Sequence, residues 1–262
     1  MYQPRTYRHW VKDKDLVAFN VTVRETDLYI RARTDLKSQA SKLVLKYRQM
    51  LEEYIEGHPS FLTSLEPVAV DDDAPPLVTE MAEAAGKAGV GPMAAVAGAI
   101  AEAVGSELLA FSPEVIVENG GDIYLKSLKQ RLIGIYAGKS PLTGRVGLEI
   151  EGKDTPLGIC TSSATVGHSL SYGQADAVIA LSPSTALADA AATAIGNRIL
   201  KPEDIPGSIE FAQSIKGLKG IIIIQGEQVG VWGEVKLREM AVEARSLCSK
   251  PELPNSSASS TP

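Results

Sequence analysis

The chain has only two cysteines in 262 residues, Cys160 and Cys248. They stand far apart and match no metal-ligand spacing, which excludes a cysteine-built zinc site and a disulfide-stapled scaffold. Reduced thiols fit a cytoplasmic location best. A surplus of basic residues is also missing. Lys and Arg total 26 against 32 Asp and Glu, a net charge of −6. Neutralising a phosphate backbone needs clustered Lys and Arg, so nucleic acid is not an expected partner. The opening MYQPRTYRHWVKDKD lacks the apolar centre of a secretory signal. No apolar run approaches the length of a membrane span, so no membrane partner is expected either. There is no repeat of fixed period and no linker that splits the chain.

What is present suits a folded core, with 44% hydrophobic residues. Residues 16–33 alternate, with Phe19, Val21 and Val23 and then Leu28, Ile30 and Ala32 on one side, which predicts a β-hairpin. Leu36, Ala40, Leu43, Val44, Tyr47, Met50, Leu51, Tyr54 and Ile55 share the face of a helix, started by Thr34 or Asp35 and stopped by Gly57 and Pro59. AVDDDAPP (69–76) reads as a solvated connection, and 76–89 and 92–105 as two helices joined at AGVGP. EVIVENGGDIYL and QRLIGIYAG read as neighbouring strands, with RVGLEIEG a third. ADAVIALSPS is a buried strand leading into the helix of ALADAAATA, and a helix near 203–215 precedes the hairpin GIIIIQGEQVGVWGEV. That apolar hairpin suits an interface in a homo-oligomer as well as a core. The polar end, 247–262, is expected to be disordered. Strands and helices do not alternate regularly, so an α+β fold is expected: one domain over 1–246, helices packed on a largely antiparallel sheet.

Four segments carry residues that a fold alone does not require. In GVGPMAAVAGA (89–99), Gly89, Gly91 and Pro92 make a turn into a helix whose first N–H groups suit an anion, although spacing alone favours a tight helix connection, since Gly-rich turns are common. In ENGGDI (118–123), Glu118, Asn119 and Asp122 surround a two-glycine turn. A plain hairpin and a ligand site account for it about equally. CTSSATVGHSLSYG (160–173) gathers hydroxyls, among them Thr161, Ser162 and Ser163, ahead of His168, a candidate general base. No G-x-S-x-G elbow accompanies them. Cys160 is either a nucleophile beside His168 or a buried thiol. In ALADAAATA (186–194), Asp189 and Thr193 stand four apart. On a helix their β-carbons come within about 5–6 Å. The pair can give two oxygens to one Mg²⁺, while the alanines leave room for a phosphorylated ligand. The structural alternative is a carboxylate on the helix dipole and a threonine bonded back to its own helix.

Taken together, ENGGDI and ADAAATAIGN, with the small-residue helix upstream, resemble the ApbE flavin transferases, in a cytoplasmic branch of that superfamily; the resemblance covers roughly 76–233. It implies FAD and Mg²⁺ as cofactors, and either FMN transfer to a Ser or Thr of an acceptor protein or hydrolysis of FAD to FMN and AMP. It implies that Asp189, Thr193 and a backbone carbonyl near Val96 hold the metal. It places Gly91, Ala97, Gly98, Asn119, Gly120, Gly121, Asp122, Thr161, Ser162 and Ser163 around the nucleotide, and makes His168 the base. Two features depart from the family pattern. Its Lys-Gly pair is Ala97-Gly98 here, and its Asp-Pro-x-Thr-Gly loop is replaced by SLSYG (169–173). Both bear on turnover more than on binding, so a non-catalytic module for a flavin or another phosphorylated ligand is the alternative.

Overall fold

The computed structural model describes residue 8 and residues 14–164 and 172–240. His168 and the terminal stretch 247–262 lie outside the described residues. The alternating segment forms the hairpin β1 (Val17–Val23) and β2 (Thr26–Ala32), paired from Val17↔Ala32 to Val23↔Thr26. Period-two alternation puts Leu28, Ile30 and Ala32 on one face, and all three are fully buried. Helix α1 (Lys37–Gly57) starts where Asp35 Oδ1 accepts the Lys37 N–H at 2.8 Å, and α2 (Pro59–Thr63) follows its end. Helix α3 (Pro76–Ala88) closes on Gly89 at φ 74°. The helix expected from 92 opens with a 3-10 turn, Pro92–Ala95, before α4 (Val96–Leu108). Gly91, just before that turn, is closely packed: a Cβ there would lie 1.9 Å from the Ser64 carbonyl oxygen.

The remaining elements are β3 (Val115–Asn119), β4 (Asp122–Lys126), β5 (Arg131–Gly134), β6 (Val146–Ile150), β7 (Leu157–Ser162) and β8 (Ala177–Ser182). Then come α5 (Thr185–Gly196), α6 (Ile205–Ser214), β9 (Gly220–Gln225), β10 (Gln228–Gly233) and β11 (Leu237–Glu239). Eight strands form one sheet in the order β1-β2-β3-β4-β7-β8-β9-β10, antiparallel at every step. A second, three-stranded sheet runs β11-β6-β5. The expected α+β architecture with a largely antiparallel sheet is therefore what the chain forms.

The neighbouring of EVIVENGGDIYL and QRLIGIYAG is corrected. Strand β4 pairs with β7, while β5 leaves for the second sheet. Strands adjacent in sequence pair often but not always. Here β7 takes the edge of β4, and its first half, Leu157–Ile159, is fully buried. Strand β7 also claims Cys160, Thr161 and Ser162, so the hydroxyl-rich segment begins in the sheet rather than in a loop.

Helices cover one face of the large sheet. There α3, α4 and α5 bury Met81, Val104 and Ile195, together with Ile221 and Ile223 of β9. The small sheet covers part of the other face, enclosing Ile116, Leu125, Ile133, Leu148, Ile159, Ile222 and Ile224. Strand β9 is thus buried on both faces, and GIIIIQ serves the core. Each fully buried isoleucine contributes about 1.5–3 kcal/mol of transfer free energy. Among the described residues no single helix is long and apolar enough to cross a membrane. One bent pair, α3 with Pro92–Leu108 at 104°, passes on length and composition, but its buried residues belong to this core.

Candidate functional site

Strand alternation decides which side of the large sheet each residue serves. Val115 and Val117 face the helices, so Asn119 does too, and Tyr124 brings Asp122 to the same side. Ile159 faces the small sheet, so Thr161 follows it there, while Cys160 turns back to the helices. All of these meet where the β3–β4 turn lies beside the end of β7. The turn consists of Gly120 and Gly121, at φ 70° and 113°. Asn119 and Asp122 close it as a directly opposed pair, the geometry that two positive-φ residues allow.

On the helix side, α4 and α5 cross at Gly98. A Cβ there would stand 2.4 Å from the Thr185 carbonyl oxygen and 2.9 Å from Asp189 Cβ, so only glycine permits this approach. The closeness lets Asp189 Oδ2 accept the Gly98 N–H at 2.9 Å. The carboxylate thereby sits at the start of α4, where the helix dipole favours negative charge. Asn119 Nδ2 donates to the Ala97 carbonyl at 3.1 Å, tying the turn to the same helix end. Asp122 Oδ1 accepts the Thr161 N–H at 3.2 Å. Ser184 Oγ accepts the Leu187 N–H and caps α5, while the Thr185 N–H goes to Glu102 Oε2 at 2.6 Å.

Asp122 is buried and Asp189 half-buried here, near enough for the charge of Asp189 to act on Asp122. Burial, then the charge of Asp189, raises the Asp122 pKa well above the usual carboxylate range. Burial raises Asp189 to about 7, against the opposing pull of the Gly98 and Ala97 amides. Cys160 is fully buried, 3.3 Å from the Thr185 carbonyl, and burial with the charges of Asp122 and Asp189 pushes its thiol up. Of the two readings of Cys160, full burial supports the buried thiol over the nucleophile.

On the other side lies an apolar cleft of about 660 Å³, open mouth included, between the two sheets. Ile123, Ile135, Leu148, Ile159 and Ile179 line its depth, and Gly120, Gly121, Thr161 and Ser163 its end. Gly120 and Gly121 put backbone rather than side chains at that end of the cleft.

The structure thus brings Ala97, Gly98, Asn119, Gly120, Gly121, Asp122, Thr161 and Asp189 together. Thr193 is half-buried one turn beyond Asp189 on α5, and Val96 is the first residue of α4. Ser162 packs near Gly196, and Ser163 Oγ donates to the Asp176 carbonyl at 2.7 Å. Gly91 packs against the Ser64 carbonyl. Two contributions escaped sequence reasoning: the cleft wall from β5 and β6, and the nearness of Asp122 and Asp189. For the first, the alternation of Ile133, Ile135 and Ala137 was the available signal.

The helix-backed antiparallel sheet gives the chain an ApbE-like fold. The flavin transferase ApbE from Vibrio cholerae has a similar fold, at TM-score 0.54 and 16% identity over 86% of this chain and 96% of that one. The ApbE protein from Thermotoga maritima is similar at TM-score 0.52 and 12% identity, covering 82% and 96%. A family model described as "AbpE bacteria" matches residues 8–215, and the chain belongs to that family. Its relatives include the UPF0280 protein MJ1526 of Methanocaldococcus jannaschii, 45% identical over 82% of this chain and 90% of that protein. A UPF0280 protein of Methanosarcina acetivorans is 42% identical, covering 81% and 85%.

Proposed function

We propose that this protein binds FAD together with Mg²⁺ and acts on the pyrophosphate, passing FMN to a Ser or Thr hydroxyl of an acceptor protein or to water. One observation carries the reading. An apolar cleft suited to a flavin ring and a pair of carboxylates suited to a cation lie on opposite faces of one sheet, joined across Gly120 and Gly121. A dinucleotide laid over that turn has its ring in the cleft and its phosphates beside Asp122 and Asp189.

The donors fit the cation. Among the described residues no three His, Cys, Asp or Glu gather into a cage. Mg²⁺ needs none, since it commonly takes one or two carboxylates, with water and ligand phosphates completing the shell. Asp189, Thr193 and the Val96 carbonyl would hold it, and its charge would relieve the repulsion that raises Asp122. Bound there, it would supply Lewis-acid polarisation of the pyrophosphate. The protein's own residues do the rest. Ile123, Ile135 and Ile159 exclude water from the ring. Asn119 fixes the turn against α4. Thr161 and Ser163 offer polar groups at the cleft end. His168 takes the proton of the attacking hydroxyl, and AMP departs as FMN is transferred.

The test is to incubate the protein with FAD, with and without Mg²⁺, and to separate the nucleotides. AMP released only with Mg²⁺, alongside free FMN or protein-bound flavin, is the expected result. Ala97 in place of a lysine and SLSYG in place of the acidic loop favour a second reading, a binding module. FAD retained intact would select it. FAD neither held nor cleaved would refute both.

A further inference from the structure

Residue 8 lies 110 positions before Glu118, yet the two side chains meet. The register places Glu118 opposite Tyr29, on the sheet face away from the helices. Glu118 Oε1 accepts the Gly121 N–H at 2.8 Å, so its carboxylate holds the glycine turn from within. Its other oxygen, Oε2, accepts Arg8 Nε. The rest of the guanidinium is pinned elsewhere. Nη1 reaches Asp27 Oδ2 at 3.2 Å, Nη2 reaches the Asp27 carbonyl at 3.0 Å, and Cζ lies 5.5 Å from the Tyr29 ring centre. The Arg8 and Glu118 side chains are only 7% and 5% exposed.

We propose that Arg8 is a positioning residue for the nucleotide site, acting through Glu118 to fix the Gly120–Gly121 turn. Two adjacent glycines have the widest backbone freedom of any pair, so the turn does not hold itself. Glu118 restrains it only while its carboxylate stays in place, and in this buried setting Arg8 supplies that anchor. Losing one member of a buried ion pair leaves the other seeking water, which here releases the Gly121 N–H. The guanidinium fork serves Glu118 and Asp27 at once, which a lysine ammonium does not reproduce.

The effect on ligand rests on the reading that this turn lines the FAD site, and the experiment separates the two claims. Amide hydrogen exchange across 118–123 is compared among wild type, Arg8→Ala, Arg8→Lys and Glu118→Gln, with FAD affinity measured on each. The expected result is at least tenfold faster exchange at the turn in Arg8→Ala, partial recovery in Arg8→Lys, and unchanged exchange in β8 and β9. FAD affinity falls about tenfold in parallel. Turn exchange in Arg8→Ala equal to wild type would overturn the proposal. So would faster exchange spread over β8 and β9 in both Arg8→Lys and Glu118→Gln, since the pair would then be a general strut. A freed turn with unaltered FAD affinity would overturn the positioning of ligand. A wild type that binds no FAD, with the turn still freed in Arg8→Ala, would refute the FAD reading and leave the restraint of the turn by Arg8 established.

Discussion

Buried carboxylates occur at both ends of β3, and they are treated in opposite ways. Glu114, just before the strand, is fully buried but surrounded by donors: Ser127 Oγ at 2.6 Å, the Leu128 N–H at 3.0 Å, Arg131 Nη2 at 2.8 Å and the Arg33 guanidinium. Burial alone would raise its pKa, yet hydrogen bonds from Ser127, Arg131, the Leu128 amide and Arg33 bring it down to about 2. Asp15 is also lowered, by Arg131 and then Lys129. Beyond the other end, Asp122 and Asp189 receive backbone amides but no Lys or Arg among the described residues, and both are raised. One end neutralises its charge internally, as a structural site does. The other leaves its carboxyl groups without a cationic partner and disfavours their ionised form, which is where a cation or a reacting group is to be sought.

The contrast breaks first at Glu114. Glu114→Ala takes one of two carboxylate partners from buried Arg131, Asp15 remaining, and strips the Ser127 hydroxyl and the Leu128 N–H of their buried acceptor; it should cost about 3–5 kcal/mol in denaturant unfolding. A loss under about 1 kcal/mol would show that the network is not structural. The pH dependence has a defined sign. A carboxylate lowered in the folded state stabilises fully above its unfolded pKa of about 4.5, and that contribution fades as pH falls through about 2. Urea unfolding between pH 5 and 2 should show a steeper decline for wild type than for Glu114→Gln, and parallel curves would count against the assignment. Gly98→Ala drives a methyl into the Thr185 carbonyl and should destabilise by about 1–3 kcal/mol, as well as displacing Asp189 from α4. Thermal melting checks the first effect. Asp189→Asn should be the mildest, within about 1 kcal/mol of wild type, because lost interaction with the helix dipole is offset by relieved repulsion. A large loss of stability there would make Asp189 a structural cap instead.

The local grammar of this chain is legible in its sequence. Alternation in β1 and β2, the periodic face of α1, the Asn-Gly-Gly turn and the Ser-capped α5 are all set by residues a few positions apart. What could not be read depends on distant partners. The swap of β5 for β7 beside β4 joins residues far apart in the chain, such as Ile123 and Ile159. The nearness of Asp122 and Asp189 exists because Gly98 lets α4 and α5 touch, and no spacing encodes that. The link from Arg8 to Glu118 spans most of the N-terminal half of the chain. Individual candidates for the site, such as Asp189 and Gly121, could thus be named from motifs, while the charges and contacts that set their chemistry required the fold.

If Asp122 and Asp189 form the cation-dependent end of an FAD site, FAD affinity must depend on Mg²⁺ through Asp189. Calorimetric titration of FAD into wild type and Asp189→Asn, each with and without Mg²⁺, tests it most directly. FAD binding by wild type should strengthen at least tenfold with Mg²⁺, and in the folded variant Mg²⁺ should make no difference. Equal Mg²⁺ dependence in both proteins would contradict it.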